Sequence, residues 1–115
     1  MDFSSHIENR VVVFELSGKI MTCNDATPLM DKLKQFISTG KKNFIMDFSG
    51  VPWMNSQGVA MVIWALTTTR NAGGIIVFSG LSESVERILE VTRLNKILDR
   101  YQNIEQALNS FSNNG

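Results

Sequence analysis

Among the 115 residues there is one cysteine, Cys23, one histidine, His6, and only two prolines. A single cysteine excludes a disulfide framework within the chain and fits a reducing compartment, which makes the cytoplasm the expected location. With one imidazole and one thiol, the remaining metal ligands are scattered carboxylates, too few of matched softness for a transition-metal site. The Ser-His-Asp and Cys-His arrangements of nucleophilic catalysis fail for the same reason, because His6 sits on an expected edge strand near the N-terminus. Eleven basic and eleven acidic side chains cancel, so the basic footprint of a nucleic-acid or anionic-membrane binder is missing. No apolar run approaches the ~18–20 residues that span a bilayer. The opening MDFSSHIENR has no basic segment leading into an apolar one, and the chain reads as soluble without an export signal. Neither GxGxxG nor GxxxxGK[ST] occurs, and the glycine pairs mark helix ends instead of phosphate loops. No cofactor, metal or catalytic residue is expected, and the chain does not read as an enzyme.

What is present is an ordinary globular composition, 43% apolar and 19% charged, in a length that suits one domain. Residues 1–111 are expected to form that domain and residues 112–115 a frayed tail. Asn9-Arg10 predicts a turn between a mixed segment, Ser4–Glu8, and the β-branched run Val11–Leu16, hence an opening hairpin. Asn24, Asp25 and Thr27 are N-cap candidates for a helix with Pro28 in its first turn and Leu29, Met30, Leu33, Phe36 and Ile37 at helical spacing. Gly40 ends it. Phe44–Phe48 reads as a strand buried on both faces, and Asp47 beside Ser49 reads as a loop cap more readily than as a catalytic acid. Strand, helix and strand then follow within about 35 residues, the pattern of a right-handed parallel crossover. Ser82 with Glu83 starts a further helix carrying Val85, Ile88, Leu89 and Val91, with Leu94, Ile97 and Leu98 as packing residues. Arg100-Tyr101 adds a short edge strand, and Asn103 caps a last helix with Ile104, Ala107, Leu108 and Phe111 inward. The sum is an α/β fold, a mixed sheet of four to five strands with about four helices, hairpin first and βα units afterward.

The stretch Asn43–Gly80 holds the most chemistry. Its helix opens beside Ser56, where backbone N–H groups converge and an anion is stabilised. Two readings stand: Asn55 or Ser56 is a plain N-cap, or Ser56 is an exposed acceptor for a phosphate that alters binding of a partner. The run Gly58–Leu66 is apolar nearly all round. With Val59, Val62, Ile63 and Leu66 inward, Met61 and Trp64 form an outward ridge that Trp53 and Met54 extend, or else a second layer covers them.

The segment DFSGVPWMNSQGVAMVIWALTTTRNAGGIIVFSGLSESVERILEVTRL resembles the STAS domain, the module of sulfate transporters and bacterial anti-sigma factor antagonists. That family's pattern is a strand, a loop ending in D-S-[ST]-G, a helix, a Gly-Gly turn, a strand, and a helix ending in T-G-L. Weaker resemblance extends to the opening hairpin with Gly18 and to Glu105–Leu108. For a stand-alone module it implies an antagonist that binds an anti-sigma factor/serine kinase and frees a sigma factor. Phosphorylation of the motif's first serine, here Ser56, ends binding, and a PP2C-type phosphatase restores it. Resemblance and ridge together make Trp53, Met54, Asn55, Gln57, Gly58, Met61 and Trp64 the candidate partner-binding residues. The sequence departs from the pattern at Asn55 (aspartate), Gln57 (hydroxyl residue), Lys19 and Met21 (acidic residues) and Arg93 (glycine). The alternatives are an unphosphorylated scaffold or accessory subunit, as in stressosome-like or lipid-transport complexes, and a small-ligand sensor.

Overall fold

The computed structural model describes residues 1–20 and 23–112. Strands β1 (Asp2–Glu8) and β2 (Val11–Ser17) form the expected hairpin. Asn9 and Arg10 have φ of 51° and 69°, the mirror-image two-residue turn whose twist matches paired strands. A 3-10 turn, Cys23–Ala26, leads into α1 (Thr27–Ser38), and β3 (Asn43–Gly50), α2 (Ser56–Asn71) and β4 (Ile75–Ser79) complete the central crossover. Then come α3 (Glu83–Val91), a 3-10 turn at Leu94–Lys96, β5 (Arg100–Tyr101) and α4 (Ile104–Ser112). The sheet has five strands in the order β1-β2-β3-β4-β5, antiparallel at the hairpin and parallel elsewhere.

Strand alternation builds two unequal cores. Phe14 and Leu16 of β2, Phe44, Met46 and Phe48 of β3 and Phe78 of β4 face a layer made of α1, α2 and α3. Val11, Val13, Ile45 and Val77 point the other way, onto Ala107, Ile104, Leu108 and Phe111 of α4. One helix thus covers the face that three cover opposite. Because β3 is covered on both faces, its single carboxylate is almost wholly withdrawn from solvent: Asp47 is 4% exposed. Its Oδ1 accepts from Ser79 Oγ at 2.7 Å and Ser49 Oγ at 3.0 Å, and its Oδ2 from the Ser49 N–H at 3.2 Å. The carboxylate therefore joins the ends of β3 and β4 and fixes the start of the loop toward α2.

Some sequence expectations need correction. None of Asn24, Asp25 or Thr27 is the N-cap of α1; Ala26 holds that place without a side-chain cap. The chain arrives already helical from the 3-10 turn, with Ala26 at φ −94° and ψ −4°, so no extended capping residue is needed. Val91 is exposed rather than packed: it lies two positions past buried Leu89, a rotation of about 200° around the helix. Ile97 is also about half exposed, whereas Leu98 is buried. Ser112 closes α4, and the expected fraying of Asn113, Asn114 and Gly115 falls outside the described residues, as does Met21.

Arg93, at the glycine position of the T-G-L pattern, adopts φ 63° and ψ 14° after α3. The chain thus keeps the left-handed turn without the residue suited to it. Arg93→Gly relieves a left-handed strain of ~1–2 kcal/mol against a glycine entropy cost of about 0.5–1 kcal/mol. Urea unfolding should show a net gain of up to about 1 kcal/mol, and a loss would contradict the strain argument. Asp47→Ala strands the Ser79 hydroxyl and the Ser49 N–H, and should lower stability by about 1–3 kcal/mol in the same measurement.

Candidate functional site

The loop from β3 to α2 is held from two sides. Toward the hairpin, Ile20 and Met54 form a parallel bridge and the Asn55 N–H donates to the Ile20 carbonyl at 3.3 Å. Toward α3, Ser82 Oγ donates to the Pro52 carbonyl at 3.3 Å while accepting from the Val85 N–H at 3.2 Å as N-cap. The ends of β3 and β4, already joined by Asp47, thus carry a platform on which α2 begins. Neither tie was visible in the sequence; Ser82 read only as a helix start.

At the start of α2 the two readings of the serine separate. Asn55 is the N-cap, extended at φ −104° and ψ −167°, and its Oδ1 accepts from the Gln57 N–H at 2.9 Å. Ser56 is the first helical residue, exposed, and its hydroxyl makes no hydrogen bond among the described residues. Capping and exposure therefore belong to different residues. The Asn55 carbonyl also accepts from the N–H groups of Gly58 and Val59, at 3.0 and 3.2 Å. The expected open cluster of N–H donors is already engaged, so an anion on Ser56 would feel the helix dipole with few donors left to enclose it.

The expected outward ridge divides. Trp53 is 41% exposed and Gln57 is exposed, with Asn55 and Trp64 half-buried. Met54, Gly58 and Met61, which the sequence reading placed among the partner-binding residues, are buried. Met61 takes the inward place the sequence reading gave to Ile63, which is exposed instead. A helix apolar on nearly every side gives no phase from its own pattern, and the sheet decides which flank turns in. Gly58 serves packing: a Cβ there would lie 2.7 Å from the Met54 Cβ and 3.0 Å from its sulfur. The missing side chain lets Met54 fold beneath the first turn of α2. A lone glycine inside a helical pattern was the signal for such a close approach.

Up to Thr69, α2 presents Ser56, Gln57, Ala60, Ile63 and Thr67 to solvent, with Trp64 at the flank, where the Lys34 ammonium lies 5.7 Å from its ring centroid. From Ser56 to Thr69 the helix has no charged residue. Beside it, Trp53 opens onto a shallow cleft walled by Ile88, Val91 and the Glu83–Arg87 pair of α3. An exposed tryptophan, isoleucine and uncharged helix flank around an exposed hydroxyl make a surface suited to a protein, with aromatic anchors inside a polar rim. Among the described residues no cluster of three or more metal-ligating side chains occurs, and no helix is long and apolar enough to cross a membrane.

The family model described as the STAS domain matches residues 3–107. A Thermotoga neapolitana protein provisionally named an anti-sigma factor antagonist is 27% identical over 64% of this chain and 66% of its own length, just under two thirds of that relative. The Bacillus cell fate determinant SpoIIAA shares 19% identity with this chain. Its unphosphorylated form superposes with a TM-score of 0.81 over 97% of both chains. The phosphorylated form gives 0.75 over 96% of this chain and 99% of that one. A sulfate transporter family protein of Wolinella succinogenes, also 19% identical, gives 0.71 over 91% and 87%. Likeness to solved structures at these identities is a likeness of fold, and all of them share the mixed sheet and helices described above.

Two substitutions test the division of labour at the α2 start. Asn55→Ala removes the cap and should cost about 1 kcal/mol in chemical denaturation, whereas Ser56→Ala should stay within about 0.5 kcal/mol of wild type. The reverse ranking would return the capping role to Ser56. Gly58→Leu, which drives Met54 out of its seat, should lower stability by about 1–3 kcal/mol.

Proposed function

The chain belongs to the STAS domain family, and from that premise we propose that it is an anti-sigma factor antagonist switched by phosphorylation of Ser56. In this reading the unmodified surface around Trp53, Ser56, Gln57, Ile63 and Trp64 binds an anti-sigma factor that is also a serine kinase. Occupying that partner frees its sigma factor. The kinase supplies the nucleotide and the catalytic groups, so this chain is substrate and switch, and a PP2C-type phosphatase reverses the modification. The observation that carries the reading is Ser56 itself: an exposed hydroxyl on the first turn of α2, relieved of capping by Asn55, amid an uncharged helix flank. The provisional name of the Thermotoga relative and the existence of a phosphorylated SpoIIAA support it.

The mechanism follows from charge and geometry. A phosphate adds about −1.5 to −2 charges and three acceptor oxygens. Asn55 already occupies the N–H groups of Gln57, Gly58 and Val59, so a phosphate on Ser56 finds few donors left at the helix start. Enclosing it against apolar contacts without compensating donors costs more than about 2 kcal/mol, roughly thirtyfold in Kd. Its removal restores a neutral hydroxyl and the interface with it. Asn55 in place of the pattern's aspartate keeps the cap and takes away a neighbouring negative charge, and Gln57 leaves Ser56 as the sole hydroxyl beside the cap.

Affinity capture from the native cell with wild type, Ser56→Ala and Ser56→Asp as baits tests the switch. Wild type and Ser56→Ala should retain the same ATP-binding partner, and Ser56→Asp should lose it at least tenfold. Phosphopeptide mass spectrometry should find the modified wild-type chain. Equal capture by all three baits, with no phosphate detected on Ser56, would favour a constitutive scaffold instead.

A further inference from the structure

The sheet ends on one side in β1, and none of the described elements pairs with its outer edge. Seven residues long, β1 keeps an unbroken register with β2 and contains no proline, lysine or bulge, so of the devices that usually blunt an exposed edge it carries only the charges of Asp2 and Glu8. The two-residue turn makes Glu8 and Val11 the closing hydrogen-bonded pair. By alternation, Asp2, Ser4, His6 and Glu8 turn their N–H and C=O groups toward β2, and Phe3, Ser5 and Ile7 turn theirs outward. The side chains of Asp2, Ser4, His6 and Glu8 share the α4 side of the sheet with Val13 and Glu15, their register neighbours on β2.

A second copy can pair with this edge antiparallel, about a two-fold axis normal to the sheet. Each helix layer then continues on its own side, and one residue of β1 lies opposite itself. Centring the axis on Ser5 sets Asp2 against Glu8 of the other copy, twice, with like charges directly opposed. Centring it on His6 brings the two imidazoles together and leaves Asp2 without a cross-strand neighbour. Centring it on Ser4 sets Asp2 opposite His6 of the second copy, twice. In that register Phe3 and Ser5 exchange their outward hydrogen bonds, and Ile7, which is 50% exposed, gains Met1 as an apolar neighbour. His6 lies 3.5 Å from Glu8 and 3.9 Å from Glu15 within its own chain, and an imidazole N–H donates to a carboxylate in either protonation state.

We propose that two copies of this chain associate edge to edge through β1, antiparallel and centred on Ser4, to form one continuous ten-stranded sheet, twice the five of one chain. The outward groups of Phe3, Ser5 and Ile7 supply the ladder, and the Asp2–His6 pairs select the register. The two α2 surfaces are left free, so this association is independent of the partner switch at Ser56.

Light scattering across a concentration series reaching millimolar should show the mass rising toward twice the 12.9 kDa of one chain. Ser4→Glu, at an exposed position, opposes two carboxylates at the axis and should remain at the single-chain mass while keeping the wild-type far-ultraviolet circular dichroism. Ser4 falls at a non-hydrogen-bonded pair, with Cα atoms about 4.5 Å apart, within disulfide reach. In a Cys23→Ser background, Ser4→Cys should therefore cross-link under mild oxidation well ahead of His6→Cys. A single-chain mass at every concentration overturns the proposal. So does a Ser4→Glu chain that dimerises like wild type, or His6→Cys cross-linking as fast as Ser4→Cys.

Discussion

Strand β3 is closed off from water on both faces, Phe44, Met46 and Phe48 against the three-helix layer and Ile45 against α4, and this double burial sets the remaining geometry. A strand sealed in that way must have strands on either side and helices above and below. β2 and β4 take the flanking places, and the connections through α1 and α2 are obliged to cross over the same face. The loop that leaves β3 therefore emerges at the end of the sheet where α2 and α3 both begin. Ser56 is at that end because β3 runs through the middle.

Double burial also explains the polar knot. At the exit from an apolar strand the backbone has to leave the ladder, and Asp47 supplies acceptors where pairing stops. Two serines, Ser79 on β4 and Ser49 at the end of β3, satisfy this nearly buried carboxylate. Gly80 completes the packing, since a Cβ there would run into the Ser49 hydroxyl and the Asp47 carboxylate. The segment supporting Ser56 is consequently anchored by side chains as well as by strand pairing. Disturbing Asp47 reaches the α2 start through Ser49 and Gly50, with no direct contact needed.

Much of the fold was legible because strands and hairpins announce themselves locally. Val11–Leu16, Phe44–Phe48 and Ile75–Phe78 are apolar and β-branched or aromatic, and Asn9-Arg10 lies in a two-residue gap. Arg100-Tyr101 was readable as a short strand, and Asn103 does cap α4, accepting from the Gln106 N–H at 2.8 Å. The phase of α2 was not legible. Its apolar residues occupy almost every direction, so the inward choice of Met61 over Ile63 comes from the shape of the sheet beneath. Nor could the sequence assign Met54 to the interior, because that seat exists only where Gly58 lets the loop close under the helix. At the site, Ser56 was legible as a residue but its state was not: Asn55 and Ser56 are both good caps, and only backbone geometry divides the roles.

That division bears on how a switch can coexist with a stable fold. A serine that capped its own helix would have its capping oxygen esterified on modification, and phosphate would act on folding and binding together. With Asn55 capping, a change at Ser56 leaves the Gln57 N–H satisfied and the core residues Met54, Val59 and Met61 undisturbed. The energetic consequence is then confined to whatever lies over the first turn of α2. Such confinement requires a rigid platform, since a mobile loop could swing the charge away from a partner at little cost. Ile20, Asp47 and Ser82 provide that rigidity from three directions, through the Met54 bridge, the Ser49 hydrogen bonds and the Pro52 carbonyl. The buried part of this chain thus holds the exposed Ser56 hydroxyl at a fixed position, which is what the proposed switch requires.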